Sequence, residues 1–384
     1  MIKTFIPLSV PVFTGNEWKY IKDCLDTGWV SSVGNYVDRF EKAVTDYTEA
    51  SWGVACVNGT SALHTALMVA GVKAGDEVIV PALTFAAPAF AVSYCGAYPV
   101  FVDIEAQYWQ LDPSKLKDFL TMSCSYRNKK LVNKHTNRVI KAIVPVHLLG
   151  HPCDMDAIMD LAERFHLTVI EDTAESIGAL YKGRKVGAIG HMGCFSFNGN
   201  KIITSGGGGM LVTNNKILAE RARYLTTQAK DDGVEYIHKN IGYNYRLTNI
   251  QAALGLAQME KLDQYIAKRI KIAGRYAQFL SNVPGISLPK EAAGAQSIFW
   301  LYTILVDAKK YGMDRSSLMA LLTKNNIQSR PLWHPLHRLK PFQSSFAFKI
   351  IEANKVYQQG LSLPSSQGLS ILDQRKILSI IHSK

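Results

Sequence analysis

The chain has 384 residues, with 43 Lys+Arg against 31 Asp+Glu, a formal net charge of +12 and 47% apolar residues. That is the composition of a globular protein and excludes a chain disordered throughout; the length corresponds to about two or three domains. The excess basic residues are spread along the chain rather than massed, which argues against nucleic acid and suits a phosphorylated or diphosphate ligand equally well.

The opening residues have a short apolar stretch interrupted by Pro7 and Pro11, unlike a secretory signal. From Val78 to Val102 no charged residue occurs, a length sufficient to cross a bilayer. Pro81, Pro88, Gly96 and Pro99 divide it, so it reads as strand, loop, short helix and second buried strand rather than a membrane span. The expected strands are Val54–Val57, Glu77–Val80, Pro99–Asp103, Ile140–Val146, Thr168–Glu171, Cys194–Phe197 and Met210–Thr213. Helical patterns such as Ser61–Ala70 and Met155–Phe165 lie between them, the alternation of a mostly parallel sheet. Only a short Gly-rich segment separates the last two strands, too short for a helical crossover, so that pair is expected to be antiparallel.

Arg127–Lys134 reads as a solvated basic loop. Past about residue 245 a long helical pattern runs from Asn249 to about Leu280, then a turn at Asn282–Pro284. Trp300–Val306 reads as a strand, Arg315–Lys324 as a helix, and the end as helical. These patterns divide the chain into a large domain, 1–245, and a smaller α+β domain, 246–384. The six cysteines form no C-x-x-C pair, which fits reduced thiols in a cytoplasmic protein.

Several segments place chemistry at strand ends. Asn58-Gly59-Thr60-Ser61 follows a strand and opens a helix, which makes either a plain cap or an anion site. Asp172 ends a strand at the edge where α/β proteins bind ligands; it is either structural or the partner of a protonated ring nitrogen. Lys201 follows Ser196 on a Gly-flanked turn, as a solvated side chain or as an amine that condenses with a carbonyl. It is followed by Ile202, so no Walker loop is present. His147, His151 and Cys153 lack zinc-site spacing, and no metal is expected. Trp333-His334-Pro335-Leu336-His337, flanked by Arg330 and Arg338, reads either as a substrate contact or as an ordinary loop. Taken in order, an anion turn, Phe85 after the next strand, Asp172, Ser196 and Lys201 suit a phosphorylated aromatic aldehyde cofactor.

These segments, with Gly28–Gly34, Gly75–Pro81, Pro145–Gly150, Glu171–Ser176 and Gly242–Ala253, resemble the DegT/DnrJ/EryC1/StrS sugar aminotransferases across nearly the whole chain. The resemblance implies an α/β, fold-type-I pyridoxal 5'-phosphate transferase. It implies Lys201 as the cofactor-binding lysine and Asp172 as partner of the pyridine nitrogen. Phe85 would stack on the ring, and Gly59, Thr60, Ser61 and Ser196 would hold the phosphate. Asn244 would reach the phosphate in the neighbouring subunit, giving a homodimer with shared sites. Glu175 stands near the cofactor where many relatives carry Gln, and Leu149 and His151 where many carry Tyr and Gln. The implied reaction moves nitrogen from L-glutamate to C4 of a nucleotide-diphosphate 4-keto-6-deoxy sugar. Ile6–Pro11 and Gly28–Gly34 look closest to the legionaminic acid and bacillosamine branch, so the expected acceptor is UDP-2-acetamido-2,6-dideoxy-4-keto-hexose, with Ser31, Ser32, Arg330, His334 and His337 as candidate contacts. The alternatives are a perosamine-type enzyme acting on GDP-4-keto-6-deoxymannose and a non-catalytic regulatory protein on the same fold.

Overall fold

A computed structural model describes residues 5–383; the first four residues of the opening segment discussed above lie outside them. Seven strands build the main sheet: β1 Trp52–Cys56, β2 Glu77–Pro81, β3 Tyr98–Val102, β4 Ile140–Ile143, β5 Thr168–Asp172, β6 Met192–Ser196 and β7 Gly209–Thr213. Their order is β1-β7-β6-β5-β4-β2-β3, with Ala347–Phe348 added beside β3. The β2–β6 pairings within that order are parallel, and β7 runs antiparallel to both β6 and β1, the expected single reversal. β2 is buried along its whole length, as a strand covered by helices on both faces must be.

Apolar cores lie on both faces of this sheet, and a third surrounds the smaller four-stranded sheet that contains Tyr302–Val306 and Gly360–Leu363. Ile6 bridges Ile327 and shares the third core with the helix Ile371–His382, while Ala347–Phe348 crosses back to the main sheet. Val78–Val102 forms a strand, a loop, the short helix Ala87–Tyr94 and a strand, as read. Among the described residues no helix is long and apolar enough to cross a membrane.

Two readings need correction. Arg127–Lys134 is not a solvated loop: Cys124–Arg127 pairs with Lys130–Asn133 as a hairpin that buries Leu131, Val132 and Asn133. Asn133 earns its burial by donating to Glu77 at 2.9 Å. The long pattern from Asn249 is two helices, Asn249–Met259 and Leu262–Leu280, because Glu260 and Lys261 interrupt it. The first begins with a capping box between Thr248 and Gln251.

Three N-terminal helices position the site: α1 Glu17–Thr27, α2 Asn35–Thr48 and α3 Gly59–Val69. Asn249 ties the α1–α2 connection down. Its amide donates to the Trp29 carbonyl at 2.7 Å and accepts the Tyr36 N–H at 3.0 Å, while its backbone N–H donates to the Ser31 carbonyl at 2.6 Å. Gly34 leaves room for that side chain, since a Cβ there would fall 2.3 Å from the Asn249 amide carbon.

Candidate active site

β5 and β6 run parallel and end in Asp172 and Ser196, so both reach the carboxyl edge of the sheet. α3 starts beside them. The Asn58 side chain accepts the Ser61 N–H at 2.8 Å, which stops β1 and starts the helix. Gly59 allows the close approach: a Cβ there would lie 2.7 Å from Ser196 Cβ. Between these elements is a cavity of about 290 Å³ lined by Gly59, Thr60, Phe85, Asp172, Glu175, Ser196 and Lys201.

The turn after β6 presents Lys201, whose N–H donates to the Asn198 carbonyl at 3.0 Å. Its ammonium nitrogen lies 3.7 Å from Glu175 Oε1 and 4.1 Å from the centre of the Trp300 ring. The Trp300 indole N–H donates to the Asn200 carbonyl at 2.8 Å, holding that ring against the turn. Trp333 stacks on Trp300 with rings 5° from parallel and centroids 6.3 Å apart, and Phe85 meets Trp333 edge-on. Lys201 therefore sits between a carboxyl group and an aromatic wall.

Both carboxyl groups are almost wholly buried. Asp172 accepts the Ala174 N–H at 3.0 Å. Burial raises its proton affinity, and that N–H and Lys201 counteract the rise. Glu175 Oε2 accepts the Leu149 N–H at 2.7 Å. Burial pushes its carboxyl up to about 7, against the pull of Lys201. Glu171, one residue before Asp172, faces away from this chemistry. It accepts the Gly187, Ile189 and Gly190 N–H groups and lies 2.9 Å from His147 Nε2.

Seven of the nine residues expected at the cofactor thus meet in one cavity. Ser61 lies beneath it, buried in the first turn of α3. Asn244 is exposed and bridges Thr227 through the backbone. Ser32 lines a separate cleft of about 620 Å³ with Arg39, Arg223 and Arg246, and Ser31 borders it through its bond to Asn249. Arg330 is exposed in the smaller sheet, His334 is exposed against Tyr357, and His337 is half-buried, its proton affinity lowered by burial. None of these three lines the Lys201 cavity. His147 Nδ1 accepts the Cys153 N–H at 3.0 Å and His151 Nε2 accepts the Ala292 N–H at 3.0 Å, which gives both rings structural work. Among the described residues no cluster of His, Cys, Asp and Glu is arranged to hold a metal.

Trp333, from the loop read either as a substrate contact or as an ordinary loop, lines the cavity, and Thr84, Asn198, Asn200 and Trp300 line it without having been assigned to a site. Trp300 read only as the start of a strand. Its position two residues before Tyr302–Val306 carries no signal that it meets a lysine far away in the chain.

A helix start, a small-residue cradle, a buried carboxylate and a recessed amine fit a phosphorylated aromatic aldehyde. The family model for DegT/DnrJ/EryC1/StrS aminotransferases matches residues 12–382. The chain is 41% identical to a GDP-perosamine synthase of Caulobacter vibrioides over 98% of this chain and 97% of that protein. It is 39% identical to the GDP-perosamine synthase of Escherichia coli O157:H7 over 95% and 94% of the two chains. A DegT DnrJ EryC1 StrS aminotransferase from Brucella abortus superposes with TM-score 0.88 at 31% identity, covering 96% of this chain and 95% of that one. A Streptococcus pneumoniae sugar aminotransferase in its PLP form superposes with TM-score 0.87 at 25% identity, covering 99% and 98%. The fold is that of the type-I pyridoxal phosphate enzymes, and the chain belongs to the DegT/DnrJ/EryC1/StrS family of pyridoxal phosphate-dependent sugar aminotransferases.

Proposed function

We propose that this aminotransferase moves the amino group of L-glutamate to C4 of GDP-4-keto-6-deoxymannose, as a perosamine-type enzyme. One observation carries the choice of sugar: the 41% identity to a GDP-perosamine synthase extends over 98% of the chain. The UDP-2-acetamido sugar expected from Ile6–Pro11 and Gly28–Gly34 rests on two short segments, and similarity along the whole chain outweighs them.

Pyridoxal phosphate, when bound, supplies an aldehyde that carries nitrogen and a ring that accepts electrons. The start of α3 with Gly59, Thr60 and Ser61, together with Ser196, holds the phosphate. Phe85 covers the ring. Asp172 would pair with the ring nitrogen and keep it protonated, because a buried carboxylate favours the charged form of a basic partner. Lys201 would hold the aldehyde and, as a free amine, would serve as the base and acid that moves the substrate proton. Trp300 and Trp333 keep water from that amine. A second subunit would supply its Asn244, which is exposed on this chain, to the phosphate. Free thiols, all but Cys95 buried, suit a cytoplasmic setting.

The test is kcat/KM with L-glutamate and either GDP-4-keto-6-deoxymannose or the UDP 2-acetamido keto sugar, with the amino-sugar products identified. The GDP sugar should be preferred by about tenfold or more, the size of a buried polar mismatch in the losing complex. Preference for the UDP sugar would restore the other branch. For the shared site, mixing inactive Lys201→Ala and Asn244→Ala subunits should restore part of the activity, since one hybrid site keeps both residues. No recovery after verified subunit exchange would remove Asn244 from the site.

A further inference from the structure

The two oxygens of Glu175 have different surroundings. Oε2 is fixed by the Leu149 N–H at 2.7 Å. Oε1 faces the Lys201 ammonium nitrogen at 3.7 Å, close enough for strong electrostatic coupling and longer than a settled hydrogen bond. Glu175 is only 5% exposed, so bulk water does little to screen the pair. The Trp300 ring closes the other side of the ammonium group at 4.1 Å.

The charged neighbours are few. From the end of β5, Asp172 brings a second carboxyl group, and it raises the proton affinity of Glu175. His147, on the turn after β4, faces Asp172, but its ring nitrogens are engaged by Glu171 and the Cys153 N–H. Two buried carboxyl groups therefore share one lysine. Such a set is relieved of its surplus negative charge when one carboxyl group holds a proton. Each carboxylate accepts a single backbone N–H, so it is position that makes Glu175 the holder: its free Oε1 is the oxygen that faces the lysine at 3.7 Å, and burial together with Asp172 raises its proton affinity.

We propose that Glu175 is the proton-exchange partner of Lys201. The proton passes from Lys201 Nζ to Glu175 Oε1: one N–H bond breaks, one O–H bond forms, and an ion pair becomes a neutral amine and a neutral carboxyl group. The reverse transfer restores the ion pair. Exchange of this kind makes a free amine inside a cavity shielded from water, without expelling a proton to solvent. The proposal rests on Lys201 being the reactive amine of the proposed function, and it is independent of which sugar is used.

Infrared difference spectra, wild type minus Glu175→Gln, on the full-length protein stripped of cofactor test the coupling. Other buried carboxyl groups cancel in the difference. A protonated-carboxyl band should be present at pH 6 and lose half its intensity near pH 7. In the matching difference made on a Lys201→Met background the midpoint should rise by about one pH unit or more, because an opposite charge has been removed. No band, or a midpoint unmoved by Lys201→Met, would overturn the proposal. In the holoenzyme, Glu175→Gln should lower kcat by about tenfold or more with little change in KM, and should erase the pH-rate limb near neutrality. An unchanged limb would equally overturn it. Failure of the functional reading has a different signature: borohydride would fix the cofactor to another lysine while the infrared coupling remained.

Discussion

Asp103 and Glu171 are as deeply buried as Asp172 and Glu175, yet the two pairs satisfy their carboxyl groups in opposite ways. Asp103 accepts the N–H groups of Ile351, Glu352 and Ala353 and the Lys115 ammonium at 2.7 Å. It thereby caps the helix Glu352–Gln359 from a distant part of the chain. Glu171 is filled by three backbone donors and His147. Asp172 and Glu175 each receive a single backbone N–H and share Lys201 across the cavity. Saturated carboxylates hold the fold, and undersaturated ones keep capacity for a ligand or a proton. Sequence neighbours such as Glu171 and Asp172 fall into different classes because a strand turns successive side chains to opposite faces.

The contrast is tested most strongly by Lys201→Ala. It should leave a folded protein whose transfer rate is lower by about 10³-fold or more, the scale of losing a proton-transfer group that also holds the cofactor. A residual rate within tenfold of wild type would dissolve the catalytic half of the comparison. Asp103→Ala should do the reverse. Leaving the partly buried Lys115 and the helix-start donors unpaired costs about 2–3 kcal/mol, measurable in urea, while the activity of the folded fraction is retained.

The pH dependence of stability should differ in sign between the classes. Glu175 is raised from 4.5 to about 7 in the folded chain. Its stabilising contribution is therefore full below the unfolded value and is lost as pH rises through about 7. That loss should amount to about 3 kcal/mol in cofactor-free protein, and Glu175→Gln should flatten it. Burial works against the Asp103 carboxylate, but Lys115 and the three N–H groups hold it below the ordinary range. Its contribution is present above about pH 4 and is lost as pH falls further, a smaller effect that Asp103→Asn should abolish. Parallel slopes for the two residues would contradict the division.

The strands of the main sheet were legible in sequence because each is a compact β-branched or apolar run, most of them bounded by Gly, Pro or Asn. The reversal of β7 was legible from the length of the connection alone. Gly59, Phe85, Asp172, Ser196 and Lys201 were readable as one site because each ends or follows a strand, and parallel strands deliver their ends to one edge. The hairpin around Asn128 was not, since its basic residues hide Leu131 and Val132, which are buried. Trp300 and Trp333 were invisible as a wall because their partner lies about a hundred residues away, and no local period encodes that packing. The Trp333–His337 loop splits: Trp333 lines the cavity while His334 and His337 do not. Ala347–Phe348 is too short to register as a strand, and only the free edge of β3 makes it one.

Nitrogen transfer is proposed to run through Lys201, set between undersaturated carboxyl groups at the sheet edge. Borohydride reduction of the pyridoxal phosphate-loaded protein, followed by peptide mapping, tests it most directly. One modified peptide is expected, carrying the cofactor on Lys201, and none from Lys201→Ala. Modification of a different lysine, or unchanged labelling of the Lys201→Ala protein, would contradict it.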